Sequence, residues 1–377
     1  MNASDIKDEE TLRKWLETRP HAEIGLIAIR SALRAFPVWG RAMYDPWAVD
    51  RNLTAMPVLR QLLCTSVART SQAVQVRYSA RNATPSFFYR VDDRASLAAA
   101  AAYNSALSVT QPEISISAAA AARAAANLAD ALKSSWEEVR HDCNLLSASR
   151  GIGGAPLWHF LQPDLFMLAN LEMHQIWQDT PETWQFWLRW YEAALEGNPL
   201  NPDLERDIAL IPDADWEKGA EHIAALIAAL EERHDLKAQV QALRQQLTLA
   251  QTAAADAAHR GHNQPPELID SAPEVQRQIT IIFDTLDDAE EELSKTNPSP
   301  TRLKVIGQAL LNAGIALAKY CGGLGDAALQ KAAEELGTSG TKWAIRIGAA
   351  SLAAQAQPVQ SLGRVILEYA LKLAQGG

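Results

Sequence analysis

At 377 residues the chain is long enough for two or three domains with cores of their own. A composition that is 48% hydrophobic, with 19 glycines, 18 prolines and long alanine runs, predicts an all-α fold of several helical bundles. There is no run of 18 consecutive apolar residues, and Met1–Glu10 reads MNASDIKDEE, without the basic and apolar regions of a signal peptide; both argue against a membrane span or secretion and make the cytoplasm the expected compartment. Cys64, Cys143 and Cys321 lie far apart with no CxxC, which argues against a disulfide framework and a cysteine-rich zinc site.

The net charge of −10 is unevenly spread. Between Leu26 and Arg90 stand nine arginines, no lysine and only Asp45 and Asp50, so this stretch carries +7 and the remainder −17. Arginine without lysine favours planar, bidentate contacts with carboxylate or phosphate. Two readings follow. One is an anion site centred on Arg69, Arg77 and Arg81; the other is pairing with the protein's own acids or with a second subunit. The density is too low, and the aromatics too few, for a nucleic-acid stripe.

In chain order, residues 1–150 are expected to form an Ala- and Arg-rich helical domain. Asp8 caps a first helix, and Pro20 opens a second with Ile24, Ile27, Ala28 and Ala32 on its core face. Pro37, Pro46 and Pro57 are expected to cut the next region into short pieces. SLAAAAAYNSAL and SISAAAAARAAANLADALKSSWEEV then read as two neighbouring helices separated by a turn at Pro112, packed closely because alanine is small.

Residues 151–230 form a second expected domain, with six of the eleven tryptophans. Its densest stretch, Thr183–Leu195, reads TWQFWLRWYEAAL; Pro181 sets its start, and Gly197 with Pro199 its stop. At 100° per residue, Trp184, Trp187, Leu188, Tyr191 and Leu195 share one face, while Phe186 and Trp190 form a stripe on the other side. One face seats a helix on a core. The second stripe needs another neighbour: a helix of the same domain, a partner chain, or a ligand.

Residues 231–259 are expected to form a coiled coil. Leu236, Val240, Leu243, Leu247, Ala250, Ala254 and Ala257 keep an unbroken 4-3 spacing, with Leu226 in register upstream and Arg233 then falling at a core position. A parallel dimer and an intramolecular antiparallel pair both satisfy this pattern. Residues 260–273, RGHNQPPELIDSAP, read as a Pro-rich linker. In the C-terminal domain, 274–377, Val275, Ile279, Ile282, Leu286, Ala289 and Leu293 repeat the heptad spacing, and the acids of DTLDDAEEE are expected to face water. Further helices follow in RLKVIGQALLNAGIALAKY, TKWAIRIGAASLAAQ and VQSLGRVILEYALKLA, with a break expected at CGGLGD. They suit a bundle, or amphipathic helices that lie on a membrane through residues 302–375.

Motifs for catalysis are weak. Glu138–His141 and Glu231–His234 have the Glu-x-x-His spacing of di-iron bundles, a small excess over the roughly one pair chance would give, and the second sits at the head of the charged coiled coil. Cys143 has a helical neighbour in His141 that points elsewhere, leaving His159 or His174 as a distant base. SRGIGGAP at 149–156 is glycine-rich and could offer N–H groups to a phosphate, but it lacks the Lys-Ser/Thr of a P-loop. No cofactor is called for.

Three segments, SSWEEVRHDC, the stretch from WQFWLRWYEAALEGNPLNPDLERDIALIPDADW to IAALIAAL, and the linker RGHNQPPELID, resemble bacterial proteins of no known activity. These occur mostly in alphaproteobacteria and their mobile elements, and join such an N-terminal region through a coiled coil to variable C-terminal parts. The similarity covers roughly residues 110–270 and implies a modular protein with an N-terminal platform, in a setting of conflict between bacteria and phage. The leading expectation is therefore a non-enzymatic helical assembly or adaptor protein. It would be a homo-oligomer held through Leu226, Leu236, Val240, Leu243 and Leu247, with Phe186 and Trp190 as contacts for a protein partner. The alternatives are a defence or toxin effector whose C-terminal helices act on membranes, and a phosphate or nucleic-acid binder using the arginines.

Overall fold

The computed structural model describes residues 1–70, 93–111, 114–128, 132–160, 162–259, 272–334 and 341–376. They hold fifteen α-helices and no strand, so the fold is all-α. The chain divides into two compact units, Met1–Leu230 and Glu231–Gly377.

In the first unit the helices are α1 (Glu9–Leu16), α2 (His21–Ala42), α3 (Pro46–Val49), α4 (Met56–Thr70), α5 (Asp93–Thr110), α6 (Ile114–Asn127), α7 (Leu132–Ser147), α8 (Asp164–Gln178), α9 (Pro181–Glu196), α10 (Pro202–Ala209) and α11 (Asp213–Trp216). The Asp8 carboxylate accepts from Thr11 N at 2.9 Å and caps α1 as its sequence predicts. The centre of the unit is α2, packed by α4, α5, α6, α7 and α8. Its expected core face is buried, and so is most of the rest of it. The alanines of α5 and α6 are buried against one another and against α2, since a methyl group lets backbones come close. The long alanine helix expected from SISAAAAARAAANLADALKSSWEEV is two, α6 ending at Asn127 and α7 starting at Leu132. The predicted turn at Pro112 lies outside the described residues.

Pro37 does not end α2, contrary to the sequence reading. A proline at position 37 has no N–H for the Leu33 carbonyl four residues earlier. The Tyr191 hydroxyl, from α9, donates to Leu33 O at 3.2 Å in its place, and the helix runs on to Ala42. Phe36 packs beside this bond, its ring 5.6 Å from Tyr191. Helices α8 and α9 are joined by Trp177 and Trp184, stacked at 4.7 Å and 11°. Gly197 closes α9 with φ +77°, as its position predicts. A side chain there would also strike the Ala155 carbonyl carbon, 2.5 Å from where a Cβ would stand. One residue thus ends a helix and seats the 152–158 loop.

The domains expected at 1–150 and 151–230 are one unit. Phe36, Trp39, Leu59 and Ala98 from the first share a single core with Trp177, Trp187, Ile208 and Ile223 from the second. The long helix α12 (Ala220–His259) begins in this unit, where Ile223 and Ile227 are buried, and continues into the other.

The second unit packs the later part of α12 with α13 (Ala272–Leu293), α14 (Pro300–Glu334) and α15 (Thr341–Gly376). Leu236, Val240, Leu243 and Leu247 form its core with Ile282, Leu286, Leu303, Leu310, Val359 and Ile366. The heptad seam is therefore covered by helices of its own chain. The side chains of Ala254, Ala257 and Val275, and residues 260–271 of the expected linker, lie outside the described residues. Helices α14 and α15 run antiparallel and touch at glycines: a Cβ on Gly307 would meet Gly363 O at 2.8 Å, and a Cβ on Gly363 would meet Gly307 O at 2.8 Å. No break occurs at CGGLGD, which lies inside α14, and the two last predicted helices are one, α15, with Pro358 within it.

Arg233, the charged residue in the heptad, is buried and donates to the Lys295 and Thr296 carbonyls at 3.2 Å each, just past the end of α13. Glu292, one of the acids expected in water, is buried too. It accepts from Lys295 Nζ at 2.6 Å and Ser299 N at 2.7 Å, with Arg302 Nε at 3.4 Å, and so fastens the α13–α14 turn.

Candidate functional site

The densest polar constellation in the first unit joins α2, α7 and the loop that follows α7. Arg30 and Arg34 stand one helical turn apart on α2, and Glu138 and Asp142 one turn apart on α7, so each pair shares a face. All four side chains are almost fully buried. Arg30 Nε donates to Asp142 Oδ2 at 3.0 Å, and Arg34 Nη2 to the same oxygen at 2.7 Å. The remaining donors of Arg30 reach carbonyls of the glycine-rich loop: Ile152 at 3.1 Å, Ala155 at 2.9 Å and Pro156 at 2.6 Å. Arg34 Nε donates to Leu157 O at 2.9 Å. Glu138 accepts from the backbone N–H of His159 at 3.0 Å and of Phe160 at 2.8 Å. The His159 ring nitrogen Nε2 is 3.3 Å from Asp142 Oδ1, and His141 lies over that ring with centroids 4.1 Å apart.

Electrostatics follow from burial and pairing. Burial would raise the Asp142 pKa, but Arg34, the His159 hydrogen bond and Arg30 outweigh it and hold the group well below the usual carboxylate range. Burial draws Arg30 below its ordinary value, opposed by Asp142. His141 is likewise lowered, by burial and then by His159. Two cations and two anions balance within the cluster, which is how charges persist away from water.

This arrangement clamps a loop. Each carboxylate oxygen of Glu138 and Asp142 has a nitrogen of the protein within 3.3 Å, the His159 ring among them, so both groups are engaged in holding the loop. Residues 152–157 of the loop turn carbonyls onto the two guanidinium ions, while the N–H groups of His159 and Phe160 are taken by Glu138, so the cluster itself presents the glycine-rich stretch with cations held by its carbonyls. Glu138 of the first Glu-x-x-His pair is spent on backbone N–H groups, and among the described residues no group of three or more His, Cys, Asp or Glu is placed to hold a metal. Cys143 is buried in the core around Trp15 and Trp136, and burial pushes its thiol well above the ordinary value; Cys64 is pushed up to about 12 by the same cause. Neither is a nucleophile in this setting.

Arg41 and Arg60 also meet the protein's own groups. Arg41 bridges Asp45 at 2.6 Å and Glu172 at 2.8 Å, and Arg60 pairs with Asp213 while lying over Trp216. The charge of Arg69 acts on Glu205, whose carboxyl burial raises to about 7 against the Trp190 hydrogen bond and the Arg69 charge. Arg77 and Arg81 lie outside the described residues.

The expected contact residues are occupied within their units. Phe186 and Trp190 are 6% and 4% exposed and belong to the first unit's core, which supplies the neighbour that the second aromatic stripe required. Leu226 packs partly buried against the same core, and Leu236, Val240, Leu243 and Leu247 are buried in the second unit. The apolar faces of α14 and α15, Leu303, Ile306 and Leu310 on one and Val359, Leu362 and Ile366 on the other, close that same core. Among the described residues no helix is long and apolar enough to cross a membrane.

An apolar face left uncovered is on α8, which the sequence reading did not single out. Met167, Leu168 and Leu171 are 47%, 51% and 54% exposed, while Phe166, Met173 and Trp177 of the same helix are buried. The signal was present in DLFMLANLEMHQIW, which carries more large apolar residues than one helix face can seat. The chain matches no protein-family model, no curated protein and no solved structure.

Proposed function

We propose that this chain is a non-enzymatic helical assembly protein that self-associates, with the outer face of α8 set against the same face of a second copy. The observation that carries this reading is the exposed stripe Met167, Leu168, Leu171 on a helix whose opposite face is already buried. The three residues are contiguous, because neighbours three and four apart share a helix face. At roughly 200 Å² for a large apolar side chain, half exposed, they present on the order of 300 Å², in the range of patches that mark contact sites.

A second copy suits this face because it is complementary to itself. In a two-fold antiparallel pairing centred between Leu168 and Leu171, Leu168 meets the partner's Leu171 and vice versa. Asp164 then lies opposite the partner's Gln175, and Glu172 opposite the partner's Met167, so the acids avoid one another. Glu172 is in addition neutralised by Arg41. Together the two stripes bury well under the roughly 1,200 Å² of a standard stable interface, so the association is weak and follows concentration.

Sedimentation equilibrium over a wide concentration range tests it. The average mass is expected to climb towards a dimer, and L168E/L171E, which places acids at the centre of the pairing, is expected to hold the chain monomeric with its helical content unchanged. A monomer at every concentration overturns the reading; a dimer indifferent to L168E/L171E moves the contact elsewhere.

A further inference from the structure

A second feature of the arginine cluster is independent of self-association. Beside it is a small cavity bordered by Ser31, Arg34, Ala122, Ala125 and Trp158, and otherwise by apolar side chains of α6, α7 and α8. It leaves about 10 Å³ of freedom for the centre of a water-sized occupant, which is room for one. Of the side chains that line it, two carry buried N–H groups without an acceptor: Nη1 of Arg34 and Nε1 of Trp158. Arg34 is itself 3% exposed, and its other nitrogens are committed to Leu157 O and Asp142. Ser31 spends its hydroxyl hydrogen on Ile27 O at 2.9 Å, so its oxygen can only accept.

The donor count decides what fits. Arg34 Nη1 brings two hydrogens and Trp158 Nε1 one, and a buried donor left unpaired costs about 1–3 kcal/mol, more when it is charged. An occupant must therefore be monatomic in size and rich in lone pairs. We infer that this cavity is a binding site for one small hydrogen-bond acceptor, a halide ion or a water oxygen, held by Arg34 Nη1 and Trp158 Nε1. A halide accepts from both and has no hydrogens to place. A water accepts from both and can place one hydrogen on Ser31 Oγ. Either occupant completes the coordination of Arg34, the residue that ties α2 to Asp142 of α7 and to the 152–160 loop.

Crystals of the full chain grown with chloride and then soaked in bromide distinguish the two. A peak between Arg34 and Trp158 that scatters anomalously after the soak identifies a halide, and a peak that does not identifies water. An empty cavity, or Arg34 Nη1 and Trp158 Nε1 turned onto protein carbonyls, overturns the inference. In solution the Trp158 indole N–H resonance, assigned by its loss in W158F, is expected to shift when chloride replaces gluconate at constant ionic strength if the occupant is a halide. If it is water, the same proton shows a cross-relaxation peak to long-lived water; neither signal would again overturn the site.

Discussion

Tyr191 shows how one hydroxyl decides the course of a helix. Without it the Leu33 carbonyl, freed by Pro37, would be buried with no donor. Tyr191→Phe keeps the ring against Phe36 and removes only that bond, so it should cost about 1–3 kcal/mol in urea unfolding, and a neutral result would mean that Leu33 finds another donor. Glu205 makes an opposite case, a group whose ionisation works against the fold. Its native pKa, raised to about 7 by burial despite Trp190 and Arg69, exceeds the unfolded value near 4.5. Between those values the native state holds a proton that the unfolded chain has released, so stability falls as pH rises through this window and stays reduced above it. Glu205→Gln, an uncharged isostere that still accepts from Trp190, should raise stability at pH 8 by up to about 3 kcal/mol and leave it nearly unchanged at pH 4. Equal unfolding midpoints of wild type and variant at both pH values would refute this assignment.

At the scale of elements, helix ends were legible in the sequence because their signals are local. Asp8, Pro181 and Gly197 mark boundaries by hydrogen-bonding and backbone demands that travel with the residue type. Pro37 and the glycines of CGGLGD also look local, yet they did not end their helices. At Pro37 the deciding partner, Tyr191, lies more than a hundred residues away in the chain. The buried ionic cluster was hidden for a similar reason. Arg30 and Arg34, or Glu138 and Asp142, look one turn apart like any solvated charge pair until α2 and α7 face each other. The glycines that join α14 to α15 give the element scale its own test. Gly307 faces backbone, including Gly363 O and Leu367 N, so a methyl group cannot be accommodated by turning a side chain aside. Gly307→Ala should therefore destabilise the protein by about 1–3 kcal/mol. Gly153→Ala, where a Cβ would meet nothing within 4 Å, should do far less. Similar losses in thermal unfolding for the two variants would show that helix approach at Gly307 is not what the glycine serves.

At the scale of the whole molecule the pattern of apolar residues specified stripes but not what covers them. Heptad spacing at Leu236, Val240, Leu243 and Leu247 is satisfied equally by a second copy or by helices of the same chain, since both present a hydrophobic ridge at the same distance. In the structure α13, α14 and α15 cover it, and Arg233 fits there because carbonyls beyond the end of α13 accept its protons. The stripe on α8 had the weaker periodicity and is the one left open. These two placements predict opposite phenotypes. Making Leu236, Val240 and Leu243 polar would put three unpaired polar groups into a closed core, at about 2–5 kcal/mol for each large side chain lost, which exceeds what a unit of this size can spare. That variant should lose helical circular dichroism and cooperative melting in the second unit. L168E/L171E should retain both and change only the mass. If instead the triple variant stays folded and merely becomes monomeric, the seam is an interface between chains and α8 is not the contact.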